Sequence, residues 1–274
     1  MIKDITFGQY YVKDSFIHRL DPRAKLIFLI YIIVLIFVTH NILSLLFVML
    51  LSLAVMILSK VPFKLYFKNI KVIIPIIIFT AILNIFYSNS GDLLLQIWQI
   101  KIYSGGLLRA SYMAVRVTLL ILISSVLTYT TTPNDLTDAI ERLLKPLKFI
   151  GLGNAVHTMS MMMTIALRFI PTLIEETDKI INAQKARGAD LESGGLVKKV
   201  KALLPILIPL LISAVRRAYE LAEAMECRCY NGGSGRTRMK QMNLCVKEYL
   251  SFLILSFSLL LVIFSNIYVN VGVI

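Results

Sequence analysis

Apolar residues in this chain gather in long unbroken runs, not in the alternation of a half-buried strand or the one-sided stripe of a soluble helix. Leu26–Val38 is followed, after Thr39-His40-Asn41, by Ile42–Leu58; then come Val72–Phe86, Leu107–Thr130 and Tyr249–Val269. A helix needs about 20 mostly apolar residues to cross the hydrocarbon core. The last two runs reach that length and Ile42–Leu58 sits at the lower limit. Leu26–Val38 and Val72–Phe86 need flanking residues or local thinning of the bilayer to span. The pattern predicts an all-α integral membrane protein with about five transmembrane helices.

Between the fourth and fifth runs, residues 132–248 are too long for a simple loop and not polar enough for a disordered one. They read as several helices. Thr132-Pro133-Asn134-Asp135 supplies a cap, a first-turn proline and an acid suited to the helix dipole. Leu136, Ile140, Leu143, Leu144 and Leu147 then share one stripe, with a kink expected at Pro146 and a stop at Gly151-Leu152-Gly153. A second helix, Val156–Phe169, carries Met159, Met161, Met162 and Met163. Methionine suits both a surface that repacks against changing partners and an ordinary core. Arg168-Phe169-Ile170-Pro171 is expected to kink or restart the helix. A charged, solvated helix from Glu175 to Ala186 follows, stopping at Gly188. Residues 196–230 predict another long helix, bent by Pro205 and Pro209. Its apolar part, Leu203–Val215, is too short to span and is expected in the interface or packed beneath the membrane domain. Asn231-Gly232-Gly233 ends it, and Ser234–Gln241 reads as a basic, mobile connector to the last span.

Composition agrees with the runs: 57% of the 274 residues are hydrophobic and the mean hydropathy is +0.76. The net charge of +13 adds orientation. Lys3, Lys13, Arg19, Arg23 and Lys25 precede the first run; Lys60, Lys64, Lys68 and Lys71 follow the second; 17 of the 29 basic residues lie in 132–248. The connections at 39–41 and 88–106 hold only Asp92 and Lys101. Lys and Arg accumulate on the cytoplasmic side, so all three basic regions are cytoplasmic if the N-terminus is inside. The expected organisation is a membrane domain of four helices over 1–131, a cytoplasmic helical region over 132–248, and a last transmembrane helix over 249–274 with its C-terminus outside. A signal peptide is not expected. Five bases and three acids precede the first run, and no small-residue cleavage site follows it. Nucleic acid is not an expected partner, because the bases alternate with spans and form no single patch. The cysteines all lie in 227–245, in a reducing compartment by this topology. Cys227 and Cys229 point about 200° apart on a helix, so no metal site is expected.

Two tripeptides stand out in the basic region, Ala186-Arg187-Gly188 and Cys227-Arg228-Cys229. Ala183-x-x-Ala186-Arg187-Gly188 lines up with Ala224-x-x-Cys227-Arg228-Cys229, so two long helices in a hairpin or V would have similar ends. Two roles fit such an arginine. It satisfies the helix dipole and the last carbonyls, or it offers a partner a planar fork of donors between small neighbours. Intramembrane catalysis is disfavoured because the five runs contain no Asp, Glu or His. Arg116, with Arg109 one heptad earlier and Asn84 as the main amide, fits a bundle arginine bonded to helix carbonyls better than an anion site. A channel or secondary transporter is disfavoured by the lack of an inverted repeat and of a midplane charge pair.

His18-Arg19-Leu20-Asp21-Pro22-Arg23-Ala24-Lys25, the Thr132-Pro133 to Leu147 helix, Arg168-Phe169-Ile170-Pro171 before Ala183-Gln184-Lys185-Ala186-Arg187-Gly188, and Cys227-Arg228-Cys229 occur in an order that resembles the transmembrane T component of energy-coupling factor transporters. These are ATP-driven uptake systems for vitamins and trace metals. The resemblance runs nearly end to end and departs from the pattern in the cysteines flanking Arg228. It implies a transport scaffold in the plasma membrane of a prokaryote, not an enzyme. Two cytoplasmic ABC ATPase subunits would grip Ala186-Arg187-Gly188 and Cys227-Arg228-Cys229 at the ends of two coupling helices. A small membrane subunit that binds the substrate would contact Met159, Met162, Met163, Leu207 and Leu211. ATP and magnesium would sit on the ATPases, with no cofactor on this chain. Asp21-Pro22-Arg23 would be the N-terminal signature, starting a helix that Arg23 and Lys25 anchor in the headgroups, or serving coupling directly. The nearest alternative is a permease subunit of a conventional ABC transporter.

Overall fold

A computed structural model of the chain describes residues 10–87, 92–97, 100–146, 151, 153–189, 195–232 and 246–268. The elements in order are α1 (Pro22–Val38), α2 (Ile42–Ser59), α3 (Phe63–Tyr87), β1 (Leu93–Ile97), β2 (Ile100–Tyr103), α4 (Ser104–Thr130), α5 (Pro133–Leu143), α6 (Gly153–Ala186), α7 (Leu196–Glu226) and α8 (Val246–Tyr268). The chain divides into two compact units, one of residues 8–136 with 240–274 and the other of residues 1–7 with 137–239. The expected connector Ser234–Gln241, Gly233 and Cys245 lie outside the described residues, as do Leu147 and Leu152.

The first unit is a helical bundle of α1, α2, α3, α4 and α8. Its centre is built from Phe28, Ile32, Leu35 and Ile36 of α1, Leu45 and Val48 of α2, Leu119 and Ile123 of α4, and Leu255 and Val262 of α8. Buried serines let the helices approach closely, as small residues do in membrane bundles. Ser52 and Ser258 each turn their hydroxyl back to a carbonyl of their own helix, Val48 and Leu255, at 2.7 Å. At one end the joint between α1, α2 and α8 is made of amides. Asn266 Nδ2 donates to the Val38 carbonyl at 2.7 Å, and Asn41 Nδ2 donates to the Ser265 carbonyl at 3.3 Å. At the other end α1 begins with Asp21 as its cap and Pro22 in the first turn, both of which the sequence announces. The Asp21 N–H donates to Glu248 of α8 at 3.2 Å, and Glu248 is buried. The acid thus sits one residue before the apolar run that begins at Tyr249.

Lys25 corrects an expectation. It does not reach headgroups: it is only 6% exposed. Its ammonium donates to the carbonyls of Thr130, at 2.8 Å, and His18, at 3.1 Å. Arg23 folds back on Asp21, with its guanidinium 2.8 Å from the carboxylate. The short third run gains its length from flanking residues. α3 starts nine residues earlier, at Phe63, and passes through Pro75 without breaking. Of its 25 residues only Tyr66 is fully buried, and beyond Lys71 it carries many exposed apolar side chains, among them Val72, Ile76, Ile78 and Phe79. The 88–106 connection is not wholly irregular. It contains an antiparallel hairpin in which Leu93 pairs with Tyr103 and Ile97 with Ile100.

The second unit is dominated by α6 and α7, which pack antiparallel. Tyr230 Oη reaches Met161 Sδ near the start of α6, whereas Ser213 and Arg217 of α7 bond Glu176 further along it. Two sequence expectations fail here. α6 is one helix of 34 residues, so of the two outcomes expected at Arg168–Pro171 the restart does not occur. Pro171 removes one backbone donor, which a long helix tolerates when its flanking turns hold. α5 ends at Leu143, so Pro146 lies in a single 3₁₀ turn beyond the α-helix and kinks nothing. The opening of α5 is as expected. Asp135 N–H donates to Thr132 Oγ1 at 3.1 Å, and the hydroxyl donates back to Asp135 at 2.9 Å.

Among the described residues, the helices long and apolar enough to cross a bilayer are α2, α3, α4, α8 and the 201–226 stretch of α7. α1, at 17 residues, stands at the lower limit of the spanning range. The expected set of five contained α1 and left α7 out. The difference arises because Leu203–Val215 continues without a break into the charged turns that follow Arg216, so the helix as a whole gains the length that its apolar part lacks.

Candidate functional site: two matching arginine helix ends

Both arginine tripeptides terminate a long helix, and they do so with the same backbone hydrogen bonds. At the end of α6, Gly188 has φ +83°. Its N–H donates to the Lys185 carbonyl at 3.0 Å, and the Ala189 N–H donates to the Gln184 carbonyl at 3.0 Å. At the end of α7, Cys229 has φ +54°. Its N–H donates to the Glu226 carbonyl at 2.8 Å, and the Tyr230 N–H donates to the Met225 carbonyl at 3.0 Å. In each case a 5→2 bond and a 6→1 bond close the helix around one left-handed residue, the Schellman arrangement. Arg187 and Arg228 occupy the same position in it, immediately before the left-handed residue.

The consequence is chemical. The cap already satisfies carbonyls of the last turn through main-chain N–H groups, which lessens the need for the arginine side chains there. Ala186, Arg187, Gly188, Cys227, Arg228 and Cys229 are all exposed. Each end therefore presents a permanently charged donor fork beside small residues, on a rigid helix. Glycine takes the left-handed conformation without steric penalty, while a β-carbon costs about 1–2 kcal/mol there. Cys229 is thus the less relaxed of the two caps. Both thiols flanking Arg228 are free and exposed.

The two ends do not sit side by side. Tyr230, two residues past Arg228, touches Met161, and Met161 lies 26 residues before Arg187 on α6. At 1.5 Å per residue the arginines are separated by about 40 Å. Of the two arrangements expected, hairpin or V, the contacts are those of an antiparallel hairpin with an arginine at each far end.

The apolar candidates lie on the same pair of helices. Met159, Met162 and Met163 are exposed on the early turns of α6, and Leu207 and Leu211 are exposed on α7. The antiparallel register sets the methionines toward the Arg228 end and the leucines toward the Arg187 end. They form two separate patches about 30 Å apart along the helices.

What holds the pair together was not evident from sequence. Glu176 accepts from Ser213 Oγ and from Arg217, the latter at 3.1 Å. These donors hold its carboxyl below the usual carboxylate range, Ser213 contributing most. The Glu175–Ala186 stretch is therefore not a uniformly solvated face. Nearer the start of α6, His157 Nδ1 lies 3.1 Å from Glu141 of α5, and Ser160 donates to the same carboxylate. An acid on one helix facing a hydroxyl and a base on another, at a sequence separation of 37 to 41 residues, leaves no local pattern to read.

In the bundle, Arg116 is 8% exposed. It donates to the Thr39 carbonyl at the end of α1 and, at 3.2 Å, to Tyr112 Oη. Tyr112 Oη also donates to the Thr39 carbonyl, at 2.7 Å. Arg116 is thus a bundle arginine bonded to a helix-end carbonyl, the first of the two roles expected for it.

Comparison with known proteins agrees with this architecture. The family model described as "Cobalt transport protein", CbiQ, matches residues 13–240. The chain is 50% identical over 254 residues to the energy-coupling factor transporter transmembrane protein EcfT of Clostridium kluyveri, covering 92% of this chain and 93% of that one. It is 45% identical over 242 residues to the protein of the same name from Bacillus subtilis, covering 88% and 91%. It is 41% identical over 267 residues to that of Lactococcus lactis, covering 97% and 100%. A match of that extent, on a bundle of apolar helices of spanning length, makes this a bacterial multi-pass plasma-membrane protein. The chain belongs to the family of transmembrane components of energy-coupling factor transporters.

Proposed function

We propose that this chain is the scaffold through which two cytoplasmic ABC ATPases drive a separate substrate-binding membrane subunit in vitamin or trace-metal uptake. Arg187 docks one ATPase and Arg228 the other. ATP and magnesium are bound by the ATPases, and this chain carries no catalytic site. The observation that supports the reading best is the identity of the two caps. Two long helices end in the same main-chain hydrogen bonds with an exposed arginine at the same position. An arginine needed only to complete a helix end has no reason to recur where the backbone has closed the end already. A spacing of about 40 Å suits two partners held apart better than one partner held twice. In this reading residues 132–248 face the cytoplasm, and the exposed methionine and leucine patches contact the substrate-binding subunit.

The test is co-purification. Arg187→Glu with Arg228→Glu is expected to strip both ATPases from the membrane while the chain still inserts. Hydrogen bonds to charged groups contribute about 1.5–3 kcal/mol each, and breaking a buried interfacial pair costs about 2–5 kcal/mol. Full retention of both ATPases by the double variant would refute the docking role.

A further inference from the structure

Helices α2 and α8 are tied at one end of the bundle and stand apart at the other, where α8 is joined to α1 instead. α2 and α8 are tied where Asn41 meets Ser265. At the opposite end, between α1, α2, α4 and α8, lies a cavity of about 280 Å³. It runs along α2 from Leu51 to Leu58 and along α8 from Leu250 to Leu255, with Ile123 of α4 on its inner wall. Among the described residues, the polar side chains in its lining are Lys25, Thr130 and Ser251. The Lys25 ammonium already donates to two carbonyls, and the Ser251 hydroxyl already donates to Lys247 O. Water needs two to four polar partners, and apolar cavities of about half this volume stay dry and take up apolar guests. The walls therefore call for a hydrocarbon.

The opening says which one. Leu58, Leu250 and Ile254 line the cavity and are each more than half exposed, so it gives onto the outer, apolar face of a bundle whose helices are of spanning length. Beside the lining, the exposed charges are the lysines Lys60 and Lys247 and the Asp14–Arg19 ion pair, which is neutral as a whole. Lys60 follows Leu58 by two residues, and Lys247 shares with Leu250, Ser251 and Ile254 the i, i+3, i+4, i+7 stripe of α8 that faces the cavity. Both lysines are exposed. The acids nearby are engaged: Asp14 pairs with Arg19, and Glu248 is buried against the Asp21 N–H. Basic pockets between transmembrane helices recognise anionic headgroups. We propose that this cavity is a binding site for one acyl chain of an anionic phospholipid, whose headgroup phosphate is held at the rim by Lys60 and Lys247. The proposal does not depend on the ATPase-docking role.

Native mass spectrometry of the full chain, released from bilayers of equal phosphatidylglycerol and phosphatidylethanolamine, tests it. The wild type is expected to retain one phosphatidylglycerol in preference to phosphatidylethanolamine. Ala54 lines the mouth and is itself exposed, so Ala54→Trp plugs the cavity without entering the packed core. It is expected to abolish retention, whereas Ile78→Trp on the exposed face of α3 leaves retention unchanged. Lys60→Asn, which tolerates the left-handed backbone at that position, together with Lys247→Gln should erase the preference. Each lysine near the surface is worth about fivefold in affinity. Unchanged retention in Ala54→Trp, or loss equal to that in Ile78→Trp, would overturn the cavity as the site. Retention of both lipids equally by the wild type, or an unaltered preference in the lysine variant, would overturn the headgroup assignment.

Discussion

Cys229 holds a backbone conformation that costs a β-carbon about 1–2 kcal/mol, and Gly188 holds its counterpart at no such cost. Cys229→Gly is therefore expected to slow amide exchange at Cys229 and Tyr230, the two donors that close α7, by roughly tenfold for each 1.4 kcal/mol gained. Gly188→Ala should do the reverse at Gly188 and Ala189. Arg116 is the converse case, a charge whose value lies in what it bonds. Replacing it by Met leaves the Thr39 carbonyl with only Tyr112 and Arg116's own neighbours without a cation. A loss of about 1.5–3 kcal/mol is expected, seen as a lowered melting temperature of the purified chain in detergent. His18 carries a pH dependence. Burial holds its pKa below the ordinary 6.5, outweighing the hydrogen bond to the Tyr11 carbonyl. The unfolded segment takes up a proton that the folded one refuses, so stability falls as pH drops below 6.5 and levels off beneath the lowered folded value. Hydrogen exchange of residues 10–20 should rise over that window and should be flat in His18→Gln.

Helix ends were legible from sequence because a cap is a local object. Asp21-Pro22, Thr132-Pro133 with Asp135, and Gly188 each act within four residues. Helix interiors were less so. Pro171 reads as a kink or a restart, yet α6 runs through it without restarting, because only one donor in 34 residues is missing. Lys25 reads as a headgroup anchor, yet a carbonyl 105 residues away claims its ammonium. The pairing of α6 with α7 through Glu176, Ser213 and Arg217 has no sequence signature either. It does have a pH signature. The Glu176 carboxyl titrates below its ordinary 4.5, so its contribution is present above that value and is lost as pH falls through the lowered folded pKa. Both partners are partly exposed, so the contribution is modest. Exchange at the middle of α7 should accelerate in acid in the wild type, and should be already faster and no longer acid-sensitive in Glu176→Gln.

On the scale of the whole chain, the membrane class and the family were legible from run lengths and motif order, while the spacing of the two arginine ends was not. That spacing is directly measurable. Spin labels at positions 187 and 228 should report a distance centred near 40 Å. Single reversals offer a sharper functional test than the double one: Arg187→Glu and Arg228→Glu should each release one ATPase and keep the other. Loss of both ATPases from either single variant would mean that the two docking sites are not independent. For orientation, cysteines placed at Lys64, in the first turn of α3, and at Asp92, beyond its last turn, should react with impermeant reagent from opposite faces of the membrane.

The amide and acid joints that fasten α8 to α1 and α2 have a consequence in time. Asp21 waits for Glu248, 227 residues later; Asn41 waits for Ser265, 224 later; Val38 waits for Asn266, 228 later. During synthesis the first four helices of the bundle exist, inserted and with polar groups uncovered, throughout translation of α5, α6 and α7. The bundle closes only when the last helix arrives, across loops of 224 to 228 residues, and contacts of such separation are slow to make. A chain stalled or cut before residue 246 is left with these joints unmade and its membrane bundle one helix short.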